Sequence, residues 1–403
     1  MGYTKDAIKG ISWTGLLRIA TKAIGLLEAV ILARILTPAQ FGAYGIALLA
    51  LGLLEVLTET GVNVVLLQED DVDSAVDSAW VISILRGLII GILLFLGAPL
   101  IATFFHTPQA TILLQLAGIV PILRGFINPS VIKFQKELHF KNYTLYQLAI
   151  IITDTVVSLT VTYLTKNPIG IMTGLLAGVV LELFMSHIIM RPTPRITFHK
   201  AYLTRIFHQG KWVTFAGIFD YLFQNADNIV VGRMLGAAPL GIYQLAYSIA
   251  VIPTTEIGKT FVHVTTPIFI RFADDTHRLR RAFLRSTGVV FALAFPIFLI
   301  FFFLPQVFLF IFGSKWAALI PILPPLAALG VLRAVLGTSS ALFLSVKKQV
   351  YVTFVTLCAI VGLLGSIVPL INLWGLGGAP IAALFGAVVS IPLTLYYIYR
   401  LLR

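Results

Sequence analysis

Apolar runs of helix length follow one another along nearly the whole chain. A membrane's hydrocarbon layer, about 30 Å thick, takes roughly 20 apolar residues of helix to cross, and twelve runs of about that size can be marked off by turns and charges. They lie near 11–36, 41–66, 78–105, 109–132, 143–165, 168–190, 211–236, 240–270, 282–312, 317–346, 350–373 and 376–400. The pieces are too long and too evenly apolar for the alternating, roughly ten-residue strands of a membrane barrel. Charged residues make up only 11% of the 403 residues, against roughly a quarter in ordinary globular chains. A water-soluble enzyme is thereby excluded, and the expectation is an all-α integral membrane protein of about twelve spans.

Loop charge orients the spans, because cytoplasmic loops carry the excess of Lys and Arg. With both termini inside, 19 of the 29 basic residues fall on inner segments, two (Lys166 and Lys315) on outer loops, and eight within spans. A bias of 19 to 2 predicts cytoplasmic termini. The net charge of +12 is carried mostly by those inner segments, which face anionic headgroups, so no nucleic-acid partner is needed. Two basic inner stretches, 194–209 and 271–285, set apolar residues at helical spacing opposite bases and are expected to lie at the bilayer surface as linkers. The single Cys358 excludes a disulfide framework, and lone histidines such as His106, His187 and His263 have no second ligand at metal spacing. The start, MGYTKDAIKGISW, has no small-residue cleavage site, so no removable signal peptide is expected.

The chain repeats itself at an offset of 199 residues. LARILTPAQFGAYGIA at 32–47 aligns with VGRMLGAAPLGIYQLA at 231–246, pairing Arg34 with Arg233, Gly42 with Gly241 and Tyr44 with Tyr243. Upstream, Trp13 pairs with Trp212 and Glu28 faces Asp227; Leu123-Arg124 resembles Leu332-Arg333 at nearly the same offset. Six spans per half is an even number, so both halves enter the membrane in the same sense. The expected architecture is two six-helix lobes, 1–190 and 211–403, related by a parallel repeat around a central cavity and joined by a basic cytoplasmic linker, 191–210. The repeated motif itself reads as fold-forming, a short hairpin that wants Gly and Pro for its turn.

The segment FQNADNIVVGRMLGAAPLGIYQLAYSIAVIP at 223–253 closely resembles the seventh and eighth spans of bacterial polysaccharide exporters. These are the Wzx-like oligosaccharide flippases of the multidrug/oligosaccharidyl-lipid/polysaccharide superfamily. ARILTPAQFGAYGIA in the first half, KFQKELHFKN on the inner side and IFGSKWAALIP after the ninth span are similar to the same family, leaning toward its colanic-acid and teichuronic-acid exporters. Many such exporters carry fourteen spans, two more than are read here. The resemblance implies a transporter, not an enzyme, that flips a polyprenyl-pyrophosphate sugar across the cytoplasmic membrane of a prokaryote. It implies as partners that lipid-linked oligosaccharide, the phospholipid bilayer and the glycan polymerase and glycosyltransferase machinery. A drug/cation antiporter of the same superfamily and a membrane-embedded glycan polymerase or ligase are the rival readings. The absence of a GxxxxGK[ST] loop speaks against direct ATP hydrolysis.

A charge inside a bilayer costs at least about 2.5 kcal/mol, so it should face protein, water or a partner. The candidates for a cationic, anion-binding cavity are Arg18, Lys22, Arg86, Arg124, Lys259 and Arg333. Arg18 and Lys22, four apart, share one helix face and repel unless an anion or acid lies between them, so they point to an anionic ligand or to a structural charge network. Glu256 and Lys259, three apart, are spaced to pair with each other. On span 7, Asp220, Gln224 and Asp227 fall within about 40° of one another around the helix. With Asp154, they are candidates for coupling to Na⁺ or protons, or else for pairing with intramembrane Arg or Lys. No cofactor and no resident metal site are expected.

Overall fold

In the computed structural model the chain is built from helices, the arrangement that lets a segment satisfy all its backbone hydrogen bonds without water. The structure describes residues 2–59, 62, 66, 72–197 and 200–403, with no side-chain detail at 2–12, 14, 72–74, 200–213 and 216. The acidic stretch 69–73 lies outside the described side chains.

The first six long helices are α1 (Gly2–Ile35), α2 (Pro38–Leu57), α3 (Val72–Phe104), α4 (Ala110–Gly125), α5 (Phe140–Thr165) and α6 (Ile169–Ile189). They are followed by α7 (Lys200–Leu235), α8 (Ala237–Ala250), α9 (Ile252–Arg271), α10 (Thr276–Phe303), α11 (Leu323–Ser345), α12 (Gln349–Trp374) and α13 (Gly378–Leu402). Among the described residues, seven helical stretches are long and apolar enough to cross a membrane, or eight if a pair bent by 75° (110–125 and 129–136) is one span. One of the seven, Gln349–Leu402, is 54 residues long and comprises α12 and α13. These two fold back antiparallel, with Gly378 against Leu370 and Gly386 against Gly362. Arg18, Lys22, Glu28 and Arg34 crowd α1 and keep it out of that apolar set.

The chain divides into two compact units, Met1–Leu222 and Phe223–Arg403, with the boundary inside α7. Three sets of helix contacts recur in both. In the first, α3 lies on α4, α5 on α6 and α2 on α4; in the second, α10 lies on α11, α12 on α13, and α8 and α9 on α11. The repeat read from the sequence is therefore also a repeat of helix contacts.

The hairpin at the head of each repeat is closed by different means. Thr37 caps α2 in a reciprocal box: Gln40 N donates to Thr37 Oγ1 (3.4 Å) and Thr37 N donates to Gln40 Oε1 (2.9 Å), with Pro38 opening the helix. At the matching place before α8 stands Gly236, whose φ of 86° is open to glycine and strained for other residues. The α3–α4 contact also depends on a missing side chain, since a Cβ at Gly125 would lie 2.7 Å from the Ser83 carbonyl oxygen.

Several apolar runs that read as continuous are broken, each at a proline. The run 109–132 ends as helix at Gly125 and turns at Asn128, whose side chain accepts from Ser130 N (2.9 Å) to cap a short 3₁₀ turn opened by Pro129. The run 240–270 breaks at Val251, just before Pro253, and the run 282–312 breaks at Leu304 before the short helix Pro305–Phe312. Proline lacks the N–H that continues a helix. In the stretch 271–285, Asp275 caps α10 by accepting from Arg278 N (3.0 Å) and pairs with Arg278 Nε at 3.0 Å.

The segment after α6 is not the amphipathic helix expected from residue 194 onward. Residues 191–197, with Pro192 and Pro194, form an irregular strap fastened to the first unit. The Pro192 carbonyl accepts from Asn128 Nδ2 (3.1 Å) and Ser130 Oγ (3.2 Å), and the Arg191 carbonyl accepts from Lys133 Nζ (3.0 Å). Asp77 accepts from Arg195 N and from Thr197 Oγ1, both at 2.8 Å. Residues 200–209 are the start of α7, and their side chains lie outside the described residues.

Candidate functional site

Four helices of the first unit each turn one face toward a common cavity of about 700 Å³. Ser83, Arg86, Gly87 and Ile90 come from α3, and Leu175, Gly178, Val179 and Glu182 from α6, both at the i, i+3, i+4, i+7 spacing of one helix face. From α5 the face carries Tyr143, Gln147, Ile150, Ile151 and Asp154; α4 supplies Pro121, Arg124 and Gly125. Glu55 of α2, and Asn128 and Gln135 from the turn after α4, complete the polar lining.

Both arginines in this cavity are engaged. Arg124 Nη1 lies 3.1 Å from Glu55 Oε1. Arg86 spans the C-terminal end of α2: its Nη2 lies 3.0 Å from Glu59 Oε2 and donates to the Glu55 carbonyl at 2.7 Å, while Nε donates to Thr58 Oγ1 at 3.3 Å. A helix C-terminus leaves carbonyls without partners and carries partial negative charge, so a guanidinium there satisfies both needs. The Glu59 carbonyl in turn accepts from Thr214 Oγ1. Asp154 and Glu182, by contrast, line the cavity with no ion-pair partner within 4 Å among the described residues. The lining thus holds two bases and three acids, with each base paired to a carboxylate of α2 or the segment after it.

The remaining candidates lie elsewhere. Arg18 and Lys22 are both exposed on α1 and do not line this cavity. Further along α1, Glu28 accepts from Ser158 Oγ (2.7 Å) and Thr155 Oγ1 (3.2 Å), tying α1 to α5. In the second unit, Lys259 Nζ pairs with Glu256 Oε1 at 3.2 Å, as their spacing predicts. Arg333 donates to the Tyr247 hydroxyl and sits 5.0 Å from the centre of the Phe223 ring. Asp227 is buried, and its carboxylate accepts from Tyr243 Oη (2.8 Å), Asn228 N (2.8 Å) and Asn228 Nδ2 (3.0 Å). Asp220 and Gln224 are exposed on α7.

Of the ten candidates, the structure brings Arg86, Arg124 and Asp154 together in one cavity. Sequence reasoning left Glu55, Glu182, Gln147 and Gln135 off the candidate list. The signal for Gln147 and Asp154 was present: two polar residues seven apart in an otherwise apolar run fall on one face of a helix. Glu55 and Glu182 had been recognised only as acids within spans.

Comparison with known proteins gives a consistent family. A family model described as "Polysaccharide biosynthesis protein" matches residues 31–321. The lipopolysaccharide biosynthesis protein WzxC of Escherichia coli (strain K12) is 27% identical over 374 residues, covering 90% of this chain and 76% of that protein. Among solved structures, the lipid II flippase MurJ in an inward closed conformation is similar with a TM-score of 0.78 at 14% identity, over 96% of this chain and 87% of that one. An inward-facing multidrug resistance MATE transporter of the MOP superfamily is similar with a TM-score of 0.72 at 16% identity, over 94% of each chain. At those identities the two structures share the fold with this chain.

Proposed function

Because the chain belongs to the polysaccharide biosynthesis protein family, we propose that it moves a lipid-linked oligosaccharide from the inner to the outer leaflet by alternating access. The cargo is a polyprenyl-pyrophosphate sugar used in assembling a cell-surface polysaccharide. The observation that carries this reading is a large cavity, lined by charged and amide side chains, inside a family member with seven helical stretches among its described residues apolar enough to cross a membrane. A sugar head must shed water to cross hydrocarbon, and each polar group left without a hydrogen bond costs about 2 kcal/mol or more. Polar side chains set within the spans replace the lost water. The process moves a molecule and breaks no bond.

The head group has two chemistries, hydroxyl-rich sugars and a diphosphate. Arg18 and Lys22, exposed and four apart on α1, suit the diphosphate, because guanidinium and ammonium groups donate charge-assisted hydrogen bonds to phosphate oxygens. Lys259 and Arg333 are the second-half candidates for the same anion. Asp220, Gln224 and Asp227 on α7 are proposed to couple transport to Na⁺ or protons. We place the protein in the cytoplasmic membrane of a prokaryote with twelve passes and both termini inside, where glycosyltransferases supply its cargo and a glycan polymerase consumes it.

The test is reconstitution. Purified protein in liposomes should make a fluorescent polyprenyl-diphosphate sugar in the inner leaflet accessible to an external quencher, at a rate well above that of protein-free liposomes. The fold shared with a multidrug transporter keeps one second reading open, extrusion of organic cations. Movement of a cationic dye, with no movement of the lipid-linked sugar, would replace the first reading with the second.

A further inference from the structure

Five helices of the second unit come together near their ends in one apolar cluster. Phe269 of α9, Leu279 and Phe283 of α10, Leu342 and Phe343 of α11 and Leu402 of α13 are buried in it, with Tyr351 of α12 and Tyr397 of α13 packed against them. The Tyr351 and Tyr397 rings stack with centroids 3.9 Å apart. The cluster joins the last turns of α9, α11 and α13 to the first turns of α10 and α12, so the residues beside it share one end of the bundle.

Those residues are strongly basic. Arg271 closes α9, while Arg280, Arg281 and Arg285 stand on the first turns of α10. Lys347 and Lys348 form the turn into α12, and Arg400 lies in the last turn of α13. All are exposed, and none has an ion-pair partner within 4 Å among the described residues. Of the two acids in the turn between α9 and α10, Asp275 is committed to Arg278 and to the cap of α10, which leaves Asp274 alone. A cytoplasmic excess of Lys and Arg explains where bases fall along a chain. It does not require that they converge in space or that they lack counter-charges. Like charges gathered in this way repel, and the repulsion opposes the apolar contacts that join the helix ends.

The surroundings of the bases identify the missing counter-charge. Ile270 beside Arg271, Leu284 beside Arg285 and Tyr399 beside Arg400 are exposed apolar or aromatic side chains. A base next to an apolar side chain that is open to the bilayer meets both parts of a phospholipid, its phosphate and the top of its acyl chain. Tyr399 also stacks under a base, with the Arg403 guanidinium 5.8 Å from its ring centre, in the manner of aromatic residues at a membrane interface. We infer that the joined ends of α9 to α13 form a binding surface for anionic phospholipid, whose headgroups supply the missing negative charge and hold the helix ends together. The inference is independent of what the protein transports.

The experiment uses the full chain, delipidated in a neutral detergent, and follows thermal unfolding as phosphatidylglycerol or phosphatidylcholine is added. Ligands that bind the folded state raise its midpoint. Phosphatidylglycerol should raise it by about 4 °C or more beyond the effect of phosphatidylcholine. The variant Arg280→Gln/Arg281→Gln/Arg285→Gln should lose at least half of that difference. Lys315→Gln, in the segment that follows the opposite end of α10, should keep all of it. Native mass spectrometry should show more phosphatidylglycerol than phosphatidylcholine retained by the wild type, and less of it by the triple variant. Equal effects of the two lipids overturn the inference, as does full retention of the difference by the triple variant. So does an equal rise produced by inorganic phosphate or by about 0.5 M sodium chloride without lipid, which would make the effect one of screening alone. Should the triple variant fail to fold, Lys347→Gln/Lys348→Gln is read in the same way.

Discussion

The Tyr243 hydroxyl donates a 2.8 Å hydrogen bond to Oδ2 of Asp227, and the repeat places Tyr44 and Glu28 at the corresponding positions of the first half. There the acid is served by Ser158 and Thr155 of another helix instead. Both halves thus keep a buried or half-buried acid on the helix that opens the repeat and hold it with hydroxyls, but different hydroxyls.

This separates two roles for Asp227. Tyr243→Phe removes one donor and keeps the carboxylate, so it should lower thermal stability by about 1 kcal/mol and leave gradient dependence intact. Asp227→Asn removes the charge. If Asp227 couples transport to an ion, the asparagine variant should transport with no response to an imposed Na⁺ or proton gradient. Flipping assays run with and without each gradient decide it, and full retention of gradient dependence eliminates Asp227 as the coupling site.

Arg18 is the first choice for the diphosphate. Arg18→Ala, expressed at the wild-type level, should abolish glycan export, and Arg18→Lys should restore part of it, because charge returns without the bidentate fork. Binding of the lipid-linked sugar should fall in step with export. Normal export by the alanine variant would assign the Arg18–Lys22 face to a structural network.

The Arg124–Glu55 pair is partly exposed, with side-chain accessibilities of 44% and 33%, and its contribution to stability is correspondingly modest. A double-mutant cycle with Arg124→Ala and Glu55→Ala should give a coupling of about 0.5–1 kcal/mol in thermal unfolding. A much larger coupling would mean that the pair is sealed from water.

Side labelling tests the membrane topology. Single cysteines at Lys347 and Lys315, in a Cys358→Ser background, should react from opposite sides, since Lys315 follows the short helix after α10 and Lys347 stands in the turn between α11 and α12. Reaction of both with an impermeant reagent applied outside intact cells would refute the twelve-pass arrangement.

Gly125 tests the packing of α3 on α4. Gly125→Ala should cost roughly 1–3 kcal/mol, because the added methyl meets the Ser83 carbonyl where neither backbone can retreat without opening the cavity wall. Thermal unfolding in detergent measures it, and an unchanged midpoint would mean that the two helices separate freely.

What the sequence made legible was whatever depends on one-dimensional pattern. The apolar runs gave the helical membrane fold, and the 199-residue offset gave a repeat that reappears as matching helix contacts. Pairings that depend on neighbours in the chain were also legible, such as Glu256 with Lys259. The partners of Arg86 and Arg124 were not, because Glu59 and Glu55 reach them from the end of α2 and the segment after it, and no spacing rule connects those positions. The breaks at Gly125, Val251 and Leu304 were hidden for another reason: hydropathy stays high through a bend, and only the prolines beside them marked the turn.

The cavity bounded by α3 to α6, with Glu55 of α2, is complete within one half of the molecule. If this cavity receives the cargo, as proposed, loading becomes a step in its own right. On the transport reading proposed above, residues of this wall should govern how much substrate is needed for half-maximal flux, while the rearrangement that exposes the cargo to the far leaflet should set the ceiling on turnover. Saturation behaviour and maximal rate should therefore respond to separate sets of mutations, and a substrate that fits the wall but cannot be carried through should act as a competitive inhibitor.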